Sequence, residues 1–101
     1  MSTAPAAMQS AARLLPVIEA LAGYAISGVS NGRLATEVKL DAAAVTRATQ
    51  TLIDYGWARK DEHTGLFHPT PAMGRVFARV LQDISSAEQK LRDQSISFTR
   101  L

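Results

Sequence analysis

The chain has no cysteine among its 101 residues. Disulfides and zinc–thiolate centres are therefore excluded, and the composition suits the cytoplasm, where the protein is expected to reside. Long apolar runs are also missing. Hydrophobic residues make up 47% of the chain, but charges interrupt them well before the ~18 consecutive positions that a membrane helix needs. No membrane association is expected. The small apolar start, Met1 to Met8, carries no basic residue, so it does not read as a signal peptide. Residues 1–12 are expected to form a flexible or helical arm.

Catalytic patterns are absent as well. The two histidines, His63 and His68, are isolated and suggest no metal site; His63 reads as a loop residue and His68 as a surface strand residue. There is no phosphate-cradling glycine loop and no HExxH, and the serines and threonines lack a histidine and acid at a recognisable spacing. An enzyme is not expected, nor is a cofactor.

What charge there is lies in one place. The net charge is only +2. Arg13 and Glu19 cancel in the first third, and the residues after Lys60 balance. The whole excess falls between Arg33 and Lys60, where Arg33, Lys39, Arg47, Arg59 and Lys60 outnumber Glu37, Asp41 and Asp54. A local basic excess marks where a polyanion can dock.

The hydrophobic periodicity divides the chain into helix, short helix, helix, hairpin and helix. Leu14, Val17, Ile18, Leu21 and Ala22 recur at steps of three and four, one buried helix face. Pro16 requires either that this helix start near Arg13 or that a longer one bend there. Ala25 to Val29 reads as a connector. A second helix runs from Ser30, which with Asn31 can cap it, to about Val38. A third follows from Ala42 to about Tyr55, with Asp41 as N-cap and Gly56 as the stop. Its buried stripe is Val45, Ala48 and Leu52, flanked by Thr49 and Ile53. Trp57–Lys60 and Leu66–His68 are short strands around a five-residue loop ending in Gly65. Trp57 is expected to pack under this hairpin. Thr70 and Pro71 open a last helix, to about Gln94, whose stripe includes Val76, Phe77, Val80, Leu81, Ile84, Ala87 and Leu91.

This order is that of a winged helix-turn-helix: mainly α, with a small β-hairpin and a C-terminal helix. Residues 13–71 form the domain and 72–101 the added helix. The pieces Arg13-Leu14, Ile18-Glu19-Ala20-Leu21-Ala22, Gly28-Val29-Ser30, Leu34-Ala35, Leu40-Asp41, Val45-Thr46-Arg47, Thr51-Leu52, Gly56-Trp57, Arg59-Lys60-Asp61 and Thr64-Gly65-Leu66-Phe67 resemble the N-terminal DNA-binding domain of IclR-type transcriptional regulators. The resemblance covers roughly Met8 to Pro71. It implies a winged helix that dimerises through helices and binds operator DNA. Full-length members of that family carry a larger effector-binding domain; this length leaves no room for one, so no small-molecule effector is expected. Lys39 stands at a turn position that the family often gives to glycine.

In such a fold the third helix enters the major groove and the second braces it. The core stripe turns Ala43, Ala44, Thr46, Arg47, Gln50 and Asp54 outward. Arg47 can pair with guanine or phosphate and Gln50 with adenine, whereas alanine meets only a thymine methyl. Alternatively Arg47 pairs with Asp54 or Glu37 on a solvated surface. Arg33, Lys39, Arg59 and Lys60 are candidate phosphate contacts, with Asp61 and Glu62 opposing the last two. The expected partner is double-stranded DNA. The competing reading is a winged-helix protein-interaction module, favoured by the alanine-rich front of the third helix. A homodimer is expected through Ile84, Ala87 and Leu91, with Phe77, Val80 and Leu81 packed on the domain's own core. Folding back of the last helix over the first would instead leave a monomer.

Overall fold

A computed structural model describes residues 6–100. The elements run α1 (Ala6–Ala22), α2 (Asn31–Val38), α3 (Ala42–Asp54), β1 (Ala58–Lys60), β2 (Phe67–Pro69) and α4 (Pro71–Thr99). Of the arm, Met1 to Pro5 lie outside the described residues, and from Ala6 onward the arm is the first part of α1. The helix therefore runs through Pro16, which has no N–H to return to the preceding turn. This is the longer of the two helices that the sequence allowed.

Local chemistry sets the helix-turn-helix. Ser30 caps α2 by accepting from the Arg33 N–H at 3.1 Å, and Asp41 caps α3 by accepting from the Ala44 N–H at 2.7 Å. Between them Lys39 takes the left-handed conformation, φ 58° and ψ 42°, with its N–H bonded to the Ala35 carbonyl. A β-carbon makes that conformation costly, and the two well-capped helices hold it in place. After α3, Gly56 at φ 77° redirects the chain toward the hairpin.

Helices α1, α2 and α3 and the hairpin enclose one core. It joins Val17 and Leu21 of α1, Leu34 of α2, Val45, Ala48 and Leu52 of α3, and Val29, Ala58, Phe67 and Met73. Ala22, assigned to the buried face from its spacing, is exposed, because the helix ends there on the rim of an open groove. Trp57 is half-buried against the core; it borders Leu14, Ile18, Leu52 and Tyr55 between α1 and α3 rather than lying under the wing.

The strands are antiparallel, pairing Ala58 with Pro69, Arg59 with His68 and Lys60 with Phe67. The first begins one residue later than the sequence reading and ends at Lys60 as expected, and the second is shifted by one residue. Val29, read as connector, exchanges two backbone bonds with Phe67, at 2.9 and 2.8 Å. A single bridge carries no periodicity and leaves no sequence signal. His68 is also corrected, since it is buried and its ring Nδ1 lies 3.2 Å from the Ala25 carbonyl. It faces the segment 25–29 and not solvent.

Helix α4 starts at Pro71 as expected, but Thr70 makes no side-chain cap. Its hydroxyl donates instead to the Gly56 carbonyl at 2.6 Å, closing the far end of the hairpin. The helix reaches Thr99, and Met73 is the only residue of α4 that is buried. Phe77, Val80 and Leu81 were expected on the domain's own core; they are 44%, 57% and 67% exposed. The helix leaves the domain after one turn, so its apolar stripe does not fold back over α1. Among the described residues, no helix is long and apolar enough to cross a membrane.

Candidate nucleic-acid interface

The outward face of α3 is set by its core contacts. Val45, Ala48, Thr49 and Leu52 point inward, and Ala43, Thr46, Arg47 and Gln50 are exposed. Ala44 departs from the sequence reading. It is buried, because it lies one helical turn before Ala48, on the flank that packs against α1. Its small exposed remainder lines the groove between α1 and α3 and not the front of α3. Ala43 remains on the exposed front.

The exposed polar groups of α3 differ in what holds them. The Thr46 hydroxyl donates to the Ala42 carbonyl at 2.9 Å and lies 3.4 Å from Asn31 Oδ1. Asn31 in turn donates to the same Ala42 carbonyl at 3.3 Å, so it ties the start of α2 to the start of α3. Gln50 donates to Asp54 at 2.8 Å, which occupies the amide that adenine recognition would use. Arg47 pairs with neither Asp54 nor Glu37. Asp54 is engaged by Gln50, and Glu37 lies 3.5 Å from Arg33 Nε. Among the described residues, no ion pair engages the Arg47 guanidinium, which leaves it open to an anion.

Arg47 also borders an open groove of about 340 Å³ between α1 and α3, lined by Ser10, Arg13, Leu14, Ala48 and Thr51 as well. Two arginines therefore flank one groove beside the front of α3. Arg13 was invisible to the charge count, which cancelled it against Glu19.

On α2, Arg33 is exposed but shared. Its partner Glu37 also accepts a hydrogen bond from the Tyr24 hydroxyl. The bond to Glu37, followed by partial burial, raises the Tyr24 pKa above the usual phenol value. Lys39 extends from the strained turn and is exposed.

Arg59 and Lys60 lie exposed on β1, with the Lys60 ammonium 5.6 Å above the Phe67 ring. The acidic residue beside them is turned into its own loop. Asp61 Oδ1 accepts from the His63 and Thr64 N–H groups at 2.8 and 3.0 Å. These backbone bonds hold its carboxyl below the ordinary carboxylate pKa, that of Thr64 being the larger cause. Asp61 thus serves the turn, and Arg59 and Lys60 remain available to an outside anion.

Residues 10–62 match the family model of the IclR helix-turn-helix domain. Among solved structures, HmgR of Pseudomonas aeruginosa is 32% identical over 73% of this chain, with a TM-score of 0.66. An IclR family transcriptional regulator from Brucella abortus is 26% identical over 66% of the chain, with a TM-score of 0.57. This chain spans 30% of the first and 25% of the second. No curated protein sequence matches it.

Proposed function

Since the chain belongs to the IclR helix-turn-helix family, we propose that it binds double-stranded DNA in the cytoplasm as a homodimeric transcriptional regulator, without catalysis and without a cofactor. In this reading α3 enters the major groove and α2 braces it across the backbone. Arg47 contacts guanine or a phosphate, and Gln50 reaches a base edge by releasing Asp54. Ala43 and Thr46 face the bases at close range, where small side chains let the helix sit deep. Arg33, Lys39, Arg59 and Lys60 hold phosphates, and Arg13 joins them at the groove beside Arg47. The dimer forms through α4 at Ile84, Ala87 and Leu91, which are exposed on a helix that has left its own core.

The observation that carries the reading is Arg47 on the exposed front of α3, without an ion-pair partner among the described residues and within one groove of Arg13. A structural arginine on a solvated helix would take the nearby carboxylates, and here both are engaged elsewhere.

A titration on random duplex DNA over a range of salt tests it. Each phosphate contact adds about −0.9 to the log–log slope, and four or five contacts per protomer give roughly −4. Absence of binding at low salt would reject DNA and make the alanine-fronted face of α3 a protein-docking surface.

A further inference from the structure

Helix α4 carries a longer pattern than its middle section shows. From Met73 the chain repeats in alternating steps of four and three: Phe77, Val80, Ile84, Ala87, Leu91. The next two steps land on Gln94 and Phe98. This is a heptad seam, apolar at every position but Gln94, the pattern by which helices pair along their length. Beyond Met73 the seam has no cover: Ile84, Leu91 and Phe98 are 50%, 66% and 80% exposed. The opposite face is occupied by its own polar network, in which Gln89 bonds both Asp93 and Arg92.

The charges beside the seam discriminate between the two ways of pairing it. Asp83 and Lys90 each precede a seam position, and Glu88 follows one. In a parallel, in-register pair the residue before one seam position faces the residue five further along the partner. That sets Asp83 against Glu88 of the partner, twice by symmetry. In an antiparallel pair the layers become Phe77 with Gln94, Val80 with Leu91 and Ile84 with Ala87, and the flanking pair is Asp83 with Lys90, also twice.

We propose that two copies of this chain pair through α4 in antiparallel orientation, with Asp83 of each facing Lys90 of the other. The proposal rests on the homodimer reading above and specifies its geometry. A second feature agrees with it. The same register places Phe98 at the level of the partner's Met73. There the domain presents an open groove of about 530 Å³, lined by Ala22, Ala25, Pro69, Met73 and Phe77. Gly74, beside Met73, adds no side chain to obstruct the approach, and a β-carbon there would meet nothing within 4 Å. The terminal phenyl ring of one copy then fills the groove of the other. From Met73 to Phe98 the helix rises about 37 Å at 1.5 Å per residue. The two domains are thus attached at opposite ends of the seam, about 37 Å apart.

The test uses the full chain in a dilution series followed by light scattering or sedimentation equilibrium. Asp83→Lys replaces two attractions by two repulsions, and the dimer dissociation constant is expected to rise about tenfold. Asp83→Lys combined with Lys90→Asp restores it. A parallel pair responds with the opposite sign, because the new lysine attracts Glu88. The chain has no cysteine, so Gln94→Cys is a clean second probe. Under oxidation it gives no linked dimer if the helices are antiparallel, since the two cysteines lie about 25 Å apart along the seam. A dissociation constant that falls or stays unchanged for Asp83→Lys, or a disulfide-linked Gln94→Cys dimer, overturns the antiparallel register while leaving the dimer. A monomer at all concentrations overturns the register and the dimer together, and the salt titration on DNA still judges the DNA reading separately.

Discussion

Gly28 lies directly against the imidazole of His68. A β-carbon at Gly28 would sit 2.5 Å from His68 Nε2 and 2.7 Å from Cε1, and the residue has φ +72°. Two requirements thus meet at one position, a left-handed backbone and a close approach. Gly28→Ala is expected to destabilise the domain by about 3 kcal/mol, as a sum of backbone strain and overpacking. Denaturant unfolding measures it. The combination with His68→Ala removes the clash but not the strain, so it should recover only part of the loss. Full recovery would show that the backbone conformation costs nothing there.

Neighbouring alanines on α3 should respond in opposite ways. Ala44 is buried against α1, so Ala44→Leu overpacks the junction and is expected to cost about 1–3 kcal/mol of stability. Ala43 is on the exposed front, and Ala43→Leu should leave stability within about 0.5 kcal/mol. It should instead obstruct DNA, lowering affinity at unchanged melting temperature. Equal loss of stability in both variants would place Ala43 in the core.

Arg47 and the wing residues should separate by specificity. Arg47→Ala is expected to cost about 1–3 kcal/mol on a preferred site if the side chain reads guanine, with a smaller loss on random DNA. Arg59→Ala and Lys60→Ala should weaken both sequences alike, each reducing the salt slope by about 0.9. Arg13→Ala should behave like the wing pair. If Arg47→Ala also weakens both sequences equally, it holds a phosphate.

The hairpin loop should have an acid limit set by Asp61. Its folded pKa is lowered by the His63 and Thr64 N–H bonds. For a depressed carboxyl, the stabilising contribution is complete above the unfolded pKa and is lost as pH falls through the folded one. The His63 and Thr64 amide resonances should therefore shift together below the usual carboxylate range, and Asp61→Ala should abolish that titration at its source. A midpoint at or above the ordinary value would mean that the carboxylate does not cap the loop.

Legibility of the sequence followed the range of the interactions involved. Ser30, Asp41, Gly56 and Pro71 act within three or four residues, and each fulfils its expected role. The stripe Val45, Ala48 and Leu52 was equally readable, because a helix repeats its own period. The failures are long-range. His68 is buried by a segment some forty residues earlier, Val29 pairs with Phe67 across the fold, and the Thr70 hydroxyl bonds Gly56 and not its own helix. Ala44 was misread because a single stripe defines the centre of a buried face and says little about its edges, which depend on where α1 lies. In the candidate site, Arg47 was legible from the outward face of α3. Arg13 was not, since its role depends on the approach of α1 to α3, and neither was the engagement of Gln50 by Asp54.

The isolation of α4 also bears on cooperativity. Only Met73 anchors it in the core, and a lone helix in water gains little from its backbone bonds alone. The remaining turns therefore do not share in the unfolding equilibrium of the domain that precedes them. Their amide protons should exchange with solvent at a rate that depends on protein concentration, slowing as copies associate, while those of Val45 and Leu52 exchange at a rate independent of it. One short chain thus contains two regions of order, the first maintained by its own core and the second by mass action.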